Sequence, residues 1–304
     1  MAVPNPLRAI AKNTPQPLAG VFDLGANFID DFADLRHGLP GNDLDEWDPD
    51  YIERTLPLMR MTFGNYFRGE VRGLENIPED GPSLLVGNHS GGLMIADTFV
   101  FANEFYEFFG PRRRFHQLAH NLAASNPALG LIRRWGTVVA SHDNARKAFK
   151  KGAPVLVYPG GDFETFRPSW HGDKIEFGGR KGFIRLALEE GVPIVPVVAV
   201  GGQETALFVT RGQRIAELLQ LPKLTRVKVF PISLGPPFGV NVLDLPGRIP
   251  LPAKITVEVL PPIDVKERFG PKPDHEEVYE EVTGEMQDAL AGLSDERSAI
   301  PLVG

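Results

Sequence analysis

The densest group of residues able to do chemistry lies in LLVGNHSGGLMIAD, Leu84 to Asp97. An apolar run ends at Gly87, then come Asn88, His89, a Ser-Gly-Gly turn and, just before TFVFANEFYEFF, Asp97. Histidine can take a proton from a hydroxyl near neutral pH. It needs a carboxylate to fix its tautomer and stabilise the imidazolium, and Asp97 is the next carboxylate along the chain. Asp97 also suits the N-cap of the following helix, and the two roles are compatible. Ser90, between a strand and a helix, offers a different reading, the nucleophile of a lipase or esterase. That elbow requires glycine two residues earlier, where Asn88 stands, and its late histidine could only be His275. A third reading is a lipid-binding protein without catalysis.

Further candidates follow the apolar run Val155–Tyr158. Gly160 and Gly161 either let the backbone approach a ligand and offer N–H groups to an oxyanion, or simply make a tight turn. Glu164 either orients an acceptor hydroxyl or is an ordinary loop glutamate. Arg180 and Lys181 open a helical pattern and suit either a phosphate or the helix start. His116 and His120 read as structural, and His171, on a glycine-rich loop, as a lid residue. Residues 111–151, including Arg133 and Arg134, carry net +8 in an otherwise acidic chain. They read either as solvated helix faces or as a site for lipid headgroups or a phosphorylated ligand.

The elements that must position these residues alternate. Apolar runs predict strands at 83–86, 115–118, 137–140, 155–158, 194–200, 226–232 and 254–260. Helical patterns lie at 97–109, 127–135, 144–150 and 181–190. This is the pattern of an α/β fold, a mixed, largely parallel sheet flanked by helices. The runs VLVY and IVPVV suggest strands buried on both faces. An N-terminal amphipathic helical segment is expected over 1–68, with one helix through Val21–Leu35 and another over Tyr51–Phe67, kinked at Pro57. Their aromatics are either core faces or an in-plane membrane anchor. The catalytic domain is expected over 69–265, and an acidic helix and tail over 266–304.

The chain has 304 residues, net charge −7 and no cysteine. The charge provides no global basic field for nucleic acid. The lack of cysteine removes disulfides, zinc–thiolate sites and a thiol nucleophile. No metal ligand spacing is evident. No stretch is long and apolar enough to span a membrane, and the first residues lack a secretion pattern. The chain is therefore expected to be cytoplasmic and not to span a membrane; whether it is peripheral on the inner face of one is a separate question.

Asn88-His89 followed by an Asp at a helix start resembles the first block of the PlsC-like glycerolipid acyltransferases. In that family the usual form is His, four residues, Asp; here Met94 occupies that place and Asp97 comes three residues later, across a longer Gly91-Gly92 turn. Gly130–Gly136 (GLIRRWG) resembles the second block, which helps form the acceptor site. Val155–Gly161 resembles the third, with Gly160 where phosphate-acceptor members carry Glu. PGGDFE and Arg180–Phe183 are nearer the diacylglycerol-acyltransferase branch, and Val192–Val197 resembles the fourth block. The resemblance implies an acyl-CoA-dependent O-acyltransferase, with His89 as general base oriented by Asp97. Substrate contacts are implied at Arg133, Gly160, Gly161, Glu164, Arg180 and Lys181. The cosubstrate is acyl-CoA, with no permanently bound cofactor, and the acceptor is a lipid hydroxyl at a membrane surface, somewhat more in keeping with a neutral alcohol than a phosphorylated one.

Overall fold

The computed structural model describes residues 43–120, 130–218, 228–237, 239–244 and 248–297. The expected helix through Val21–Leu35 lies outside them. Among the described residues ten strands follow in chain order: β1 Glu70–Arg72, β2 Leu84–Gly87, β3 His116–Ala119, β4 Thr137–Val139, β5 Val155–Val157, β6 Ile194–Val200, β7 Leu207–Thr210, β8 Ile232–Gly235, β9 Gly239–Val242 and β10 Thr256–Val259. The chain divides into two compact units. Unit 1 comprises residues 1–62, 78–83 and 105–157; unit 2 comprises 63–77, 84–104 and 158–304.

In unit 1, β3 pairs in parallel with both β4 and β5. Helix His142–Lys150, capped by the Ser141 side chain, precedes β5. The core joins aromatics to hydrogen bonds. The Trp47 indole donates to the Tyr106 hydroxyl at 3.0 Å, and the Trp135 indole to Thr55 Oγ1 at 3.1 Å. Buried indole and phenol groups thereby keep their polar atoms satisfied.

In unit 2, β1 runs parallel to β10, β10 antiparallel to β6, and β6 parallel to β2. Every residue of β6 is buried, which explains its unbroken apolar run. Helix His275–Asp295 packs on β6 and buries Val278, Val282, Met286, Leu290 and Leu293, a stripe at helical spacing. The acidic terminal segment is thus amphipathic, with its charges on the outer side. A small antiparallel sheet, ordered β7-β8-β9, completes the unit. The pairings are mixed and mostly parallel with helices between them, as the alternation implied.

Three differences from the sequence reading have local causes. The strand expected over 226–232 begins only at Ile232, immediately after Pro231, which has no N–H to give a ladder. Strands β1, β7 and β9 were not expected, because their residues are mostly half-buried or exposed and no fully buried apolar run marks them. Helix Pro49–Met59 accommodates Pro57 and then widens into a π-helical turn over Arg60–Asn65, a distortion that a missing proline N–H favours. Among the described residues no helix is long and apolar enough to cross a membrane.

Candidate active site

The site lies wholly in unit 2, at the carboxyl end of β2. Asn88 ends that strand with its side chain: its amide donates to the Ala199 carbonyl at 2.8 Å and accepts from the Ala199 N–H at 2.7 Å. The chain therefore turns off the sheet at a fixed point, and His89 projects beyond its edge.

His89 Nδ1 lies 3.2 Å from Asp97 Oδ2. The ring stacks on Tyr158 with centroids 4.2 Å apart and 16° between planes. Its side chain keeps 12% of its surface open. With Nδ1 donating to the carboxylate, Nε2 is the basic nitrogen, the tautomer that hydroxyl deprotonation needs. Asp97 sits inside the first turn of helix Ala96–Phe109 rather than at its cap. It accepts from Ser90 N at 2.9 Å and from Thr98 N at 2.8 Å. Burial opposes its ionisation, but the His89 charge and the bonds from His89, Ser90 and Thr98 outweigh that and hold its carboxyl below its ordinary value.

The span from His89 to Asp97 folds as two left-handed glycines, Gly91 and Gly92, a short turn over Gly92–Met94, and Ile95 at φ 38°. Its backbone is held from three directions. Gly91 O accepts from Arg248 at 2.6 Å, Gly92 O from Thr165 Oγ1 at 3.1 Å, and Leu93 N donates to Asp244 Oδ2 at 2.8 Å. Asp244 and Arg248 are themselves a buried pair at 3.0 Å. A Cβ on Gly92 would lie 2.4 Å from Asp244 Oδ2, so only glycine fits beneath that carboxylate.

The His89 peptide is gripped at both ends. Its N–H donates to Glu164 Oε2 at 3.0 Å, and its carbonyl accepts from Arg167 Nη1 at 2.8 Å. Glu164 and Arg167 are both fully buried, 3.9 Å apart. Burial raises the Glu164 pKa and lowers that of Arg167, in each case exceeding the attraction between them. From the sequence, Glu164 either orients an acceptor hydroxyl or is an ordinary loop glutamate. Instead its second oxygen accepts the Glu176 N–H at 2.9 Å, so the carboxylate organises two loop backbones. Arg167 and Tyr158 were not among the site candidates. The stretch Phe163–Arg167, with an arginine three residues after a glutamate, was the signal available for the first.

The other candidates divide. Gly161 is left-handed and spends its N–H on the Tyr158 carbonyl at 3.1 Å, so its role is the turn, not an oxyanion contact. Gly160 is required by space, since a Cβ there would lie 2.4 Å from Glu164 Oε2. Arg180 clamps this turn through the Pro159 and Gly160 carbonyls at 2.8 and 2.7 Å. Lys181 pairs with Glu276 of the terminal helix rather than standing free for a phosphate. Arg133 belongs to unit 1, where its buried Nε donates to Glu46 at 2.6 Å, so it is a structural cation there. Ser90 is buried, with its hydroxyl 3.3 Å from Asp97 Oδ2, and His275 is exposed at the start of the terminal helix. That is not the serine–imidazole contact a hydrolase needs.

Residues 68–200 match the family model described as Acyltransferase. An uncharacterized protein of Mycobacterium tuberculosis is 29% identical over 282 residues, 91% of this chain and 74% of that one. Phytyl ester synthase 1 of Arabidopsis thaliana is 27% identical over 277 residues, 82% of this chain but 38% of that protein. A Bos taurus protein named as a DGAT1/2-independent enzyme synthesizing storage lipids is 29% identical over 197 residues, 63% of this chain and 55% of that one. The crystal structure of the 1-acyl-sn-glycerophosphate acyltransferase PlsC of Thermotoga maritima shares the fold, with TM-score 0.51, 19% identity and coverage of 82% and 81%.

Proposed function

We propose that this chain, an acyltransferase by the domain at residues 68–200, moves a fatty acyl group from acyl-CoA to the hydroxyl of a neutral lipid alcohol. His89 Nε2 removes the hydroxyl proton, and the ionised Asp97 stabilises the imidazolium that forms. The alkoxide attacks the thioester carbonyl, the C–S bond breaks, and the thiolate of coenzyme A leaves and takes up the proton. No covalent intermediate on the protein is needed.

The observation that carries this reading is the His89–Asp97 contact at 3.2 Å, on a peptide clamped by Glu164 and Arg167. A neutral acceptor is supported by the commitment of Arg133, Arg180 and Lys181 to partners within the protein. The names of two relatives, a phytyl ester synthase and an enzyme synthesizing storage lipids, point the same way. The test is purified chain with a panel of acyl-CoAs and lipid alcohols, following free coenzyme A, with an acyl carrier protein thioester alongside. Release that depends on a long-chain alcohol and vanishes in His89→Ala is expected. Release that survives His89→Ala, or occurs only with the carrier protein or only with a phosphorylated acceptor, overturns the corresponding part.

A further inference from the structure

Nothing in a histidine's own stereochemistry fixes the plane of its ring, because rotation about Cβ–Cγ is soft. At His89 the bonds to Glu164 and Arg167 hold the peptide, and the contact with Asp97 holds one ring atom, Nδ1. Those contacts alone would let the ring swing about Nδ1 and carry Nε2 away from a hydroxyl. Tyr158 supplies the missing constraint. Its ring lies against the imidazole with centroids 4.2 Å apart and 16° between planes, and a stack fixes a plane where a single hydrogen bond fixes a point.

Tyr158 is tied to the same carboxylate. Its hydroxyl oxygen lies 2.8 Å from Thr98 Oγ1, which lies 3.3 Å from Asp97 Oδ1, while His89 meets Oδ2. Thr98 Oγ1 carries one hydrogen and an ionised carboxylate only accepts. Both contacts are therefore hydrogen bonds only when Tyr158 donates to Thr98 and Thr98 to Asp97. The four side chains close a loop: Asp97 holds the imidazole edge at one oxygen and, through Thr98, the stacked phenol at the other. The Tyr158 carbonyl accepts the Gly161 N–H, and Arg180 grips the next two carbonyls, so the backbone under the ring is fixed as well. Burial and the Asp97 charge push the Tyr158 pKa well above its ordinary value, so the ring stays an uncharged phenol. Its negative π face is turned to the ring that gains positive charge when the hydroxyl proton arrives.

We propose that Tyr158 is a positioning residue for acyl transfer: its π face holds the His89 plane with Nε2 toward the acceptor hydroxyl and stabilises the imidazolium, while Thr98 anchors it. The inference rests on the general-base role given to His89 above. Packing alone would be served by any side chain of similar bulk, whereas a stack requires another aromatic ring.

The experiment compares Tyr158→Leu and Tyr158→Met, which fill the space without a π face, with Tyr158→Phe, which keeps the face and loses the hydroxyl. Met adapts to the space if the Leu variant does not fold, as circular dichroism will show. In coenzyme A release, kcat should fall about 10- to 30-fold in the Leu and Met variants, with both KM values within about twofold of wild type. Tyr158→Phe should stay within about threefold of the wild-type kcat. A second readout needs no substrate: long-range proton–nitrogen spectra of histidine-labelled protein at about pH 8.5, where an ordinary imidazole is neutral. His89 is assigned by the signal lost in His89→Gln. Wild type and Tyr158→Phe should show one tautomer, protonated at Nδ1, and the Leu and Met variants an average of two. Undiminished kcat in the Leu and Met variants overturns the proposal, as does a Phe variant as impaired as they are, or a loss confined to KM. A wild-type imidazole spectrum in the Leu and Met variants also overturns it. If wild type transfers no acyl group from any donor, the catalytic reading falls and the spectra alone decide whether Tyr158 sets the ring.

Discussion

Two parts of the molecule use charge in opposite ways. In unit 1 the basic run of residues 111–151 meets the acidic stretch before it. Arg112 pairs with Asp50 at 2.9 Å, Lys151 with Asp45 at 2.6 Å and Arg114 with Asp45 at 3.4 Å. Arg133 takes Glu46, and Lys147 takes Asp143. Most of these side chains are open to water, where attraction is screened. Around His89 in unit 2 the charges are few, buried and aimed at backbone groups: Glu164 and Arg167 on the His89 peptide, Asp244 and Arg248 on the loop beyond it. A conspicuous charge run is therefore local neutralisation, while isolated charged letters in loops fix the geometry. Of the two readings of residues 111–151, solvated helix faces or an anion site, the pairing of Arg112, Arg114, Arg133, Lys147 and Lys151 with carboxylates favours the first.

The contrast can be broken or sharpened by substitution, beginning with the largest effect. His89→Ala should reduce acyl transfer by about 10³-fold and Asp97→Asn by about 10²-fold or more, read as coenzyme A release at saturating donor. Near-wild-type rates in both would remove the buried site from the chemistry. Next, Arg167→Met leaves Glu164 buried without its cation, at a cost of about 3–5 kcal/mol in chemical denaturation, because an unpartnered buried charge is far worse than a pair. A loss under about 1 kcal/mol would mean that Arg167 does not hold this loop.

A smaller effect separates the units by pH. His116 is buried in unit 1, with Nδ1 3.0 Å from the Gly136 carbonyl, and burial lowers its pKa from 6.5 to about 4. Between those values the unfolded chain binds a proton that the folded one refuses. Stability contributed by the neutral ring is present above pH 6.5 and falls as pH drops toward 4, by about 3 kcal/mol in all. Denaturant unfolding at pH 7 and pH 4.5 should show this slope flattened in His116→Asn; an unchanged slope would place the acid sensitivity elsewhere. The least effect is expected from Arg112→Ala, whose partner Asp50 is equally exposed: the melting temperature should not move measurably. A clear drop would mean that the surface pairs of unit 1 matter as much as the buried ones.

The α/β alternation, the buried β6 and the chemical interest of Leu84–Asp97 were legible because each rests on a local pattern: an unbroken apolar run, a helical period, a histidine beside a glycine turn. The strands β1, β7 and β9 were not, since they are mostly half-buried or exposed and no fully buried apolar run marks them. The sequence by itself determined which residues flank His89 along the chain and that a carboxylate follows within reach of one loop. Only the tertiary structure decided which group each charge answers. Glu164 lies 75 residues from His89, and Arg248 lies 157 from Gly91. A buried charge takes whatever partner the fold brings within hydrogen-bonding distance, and spacing along the chain does not encode that partner.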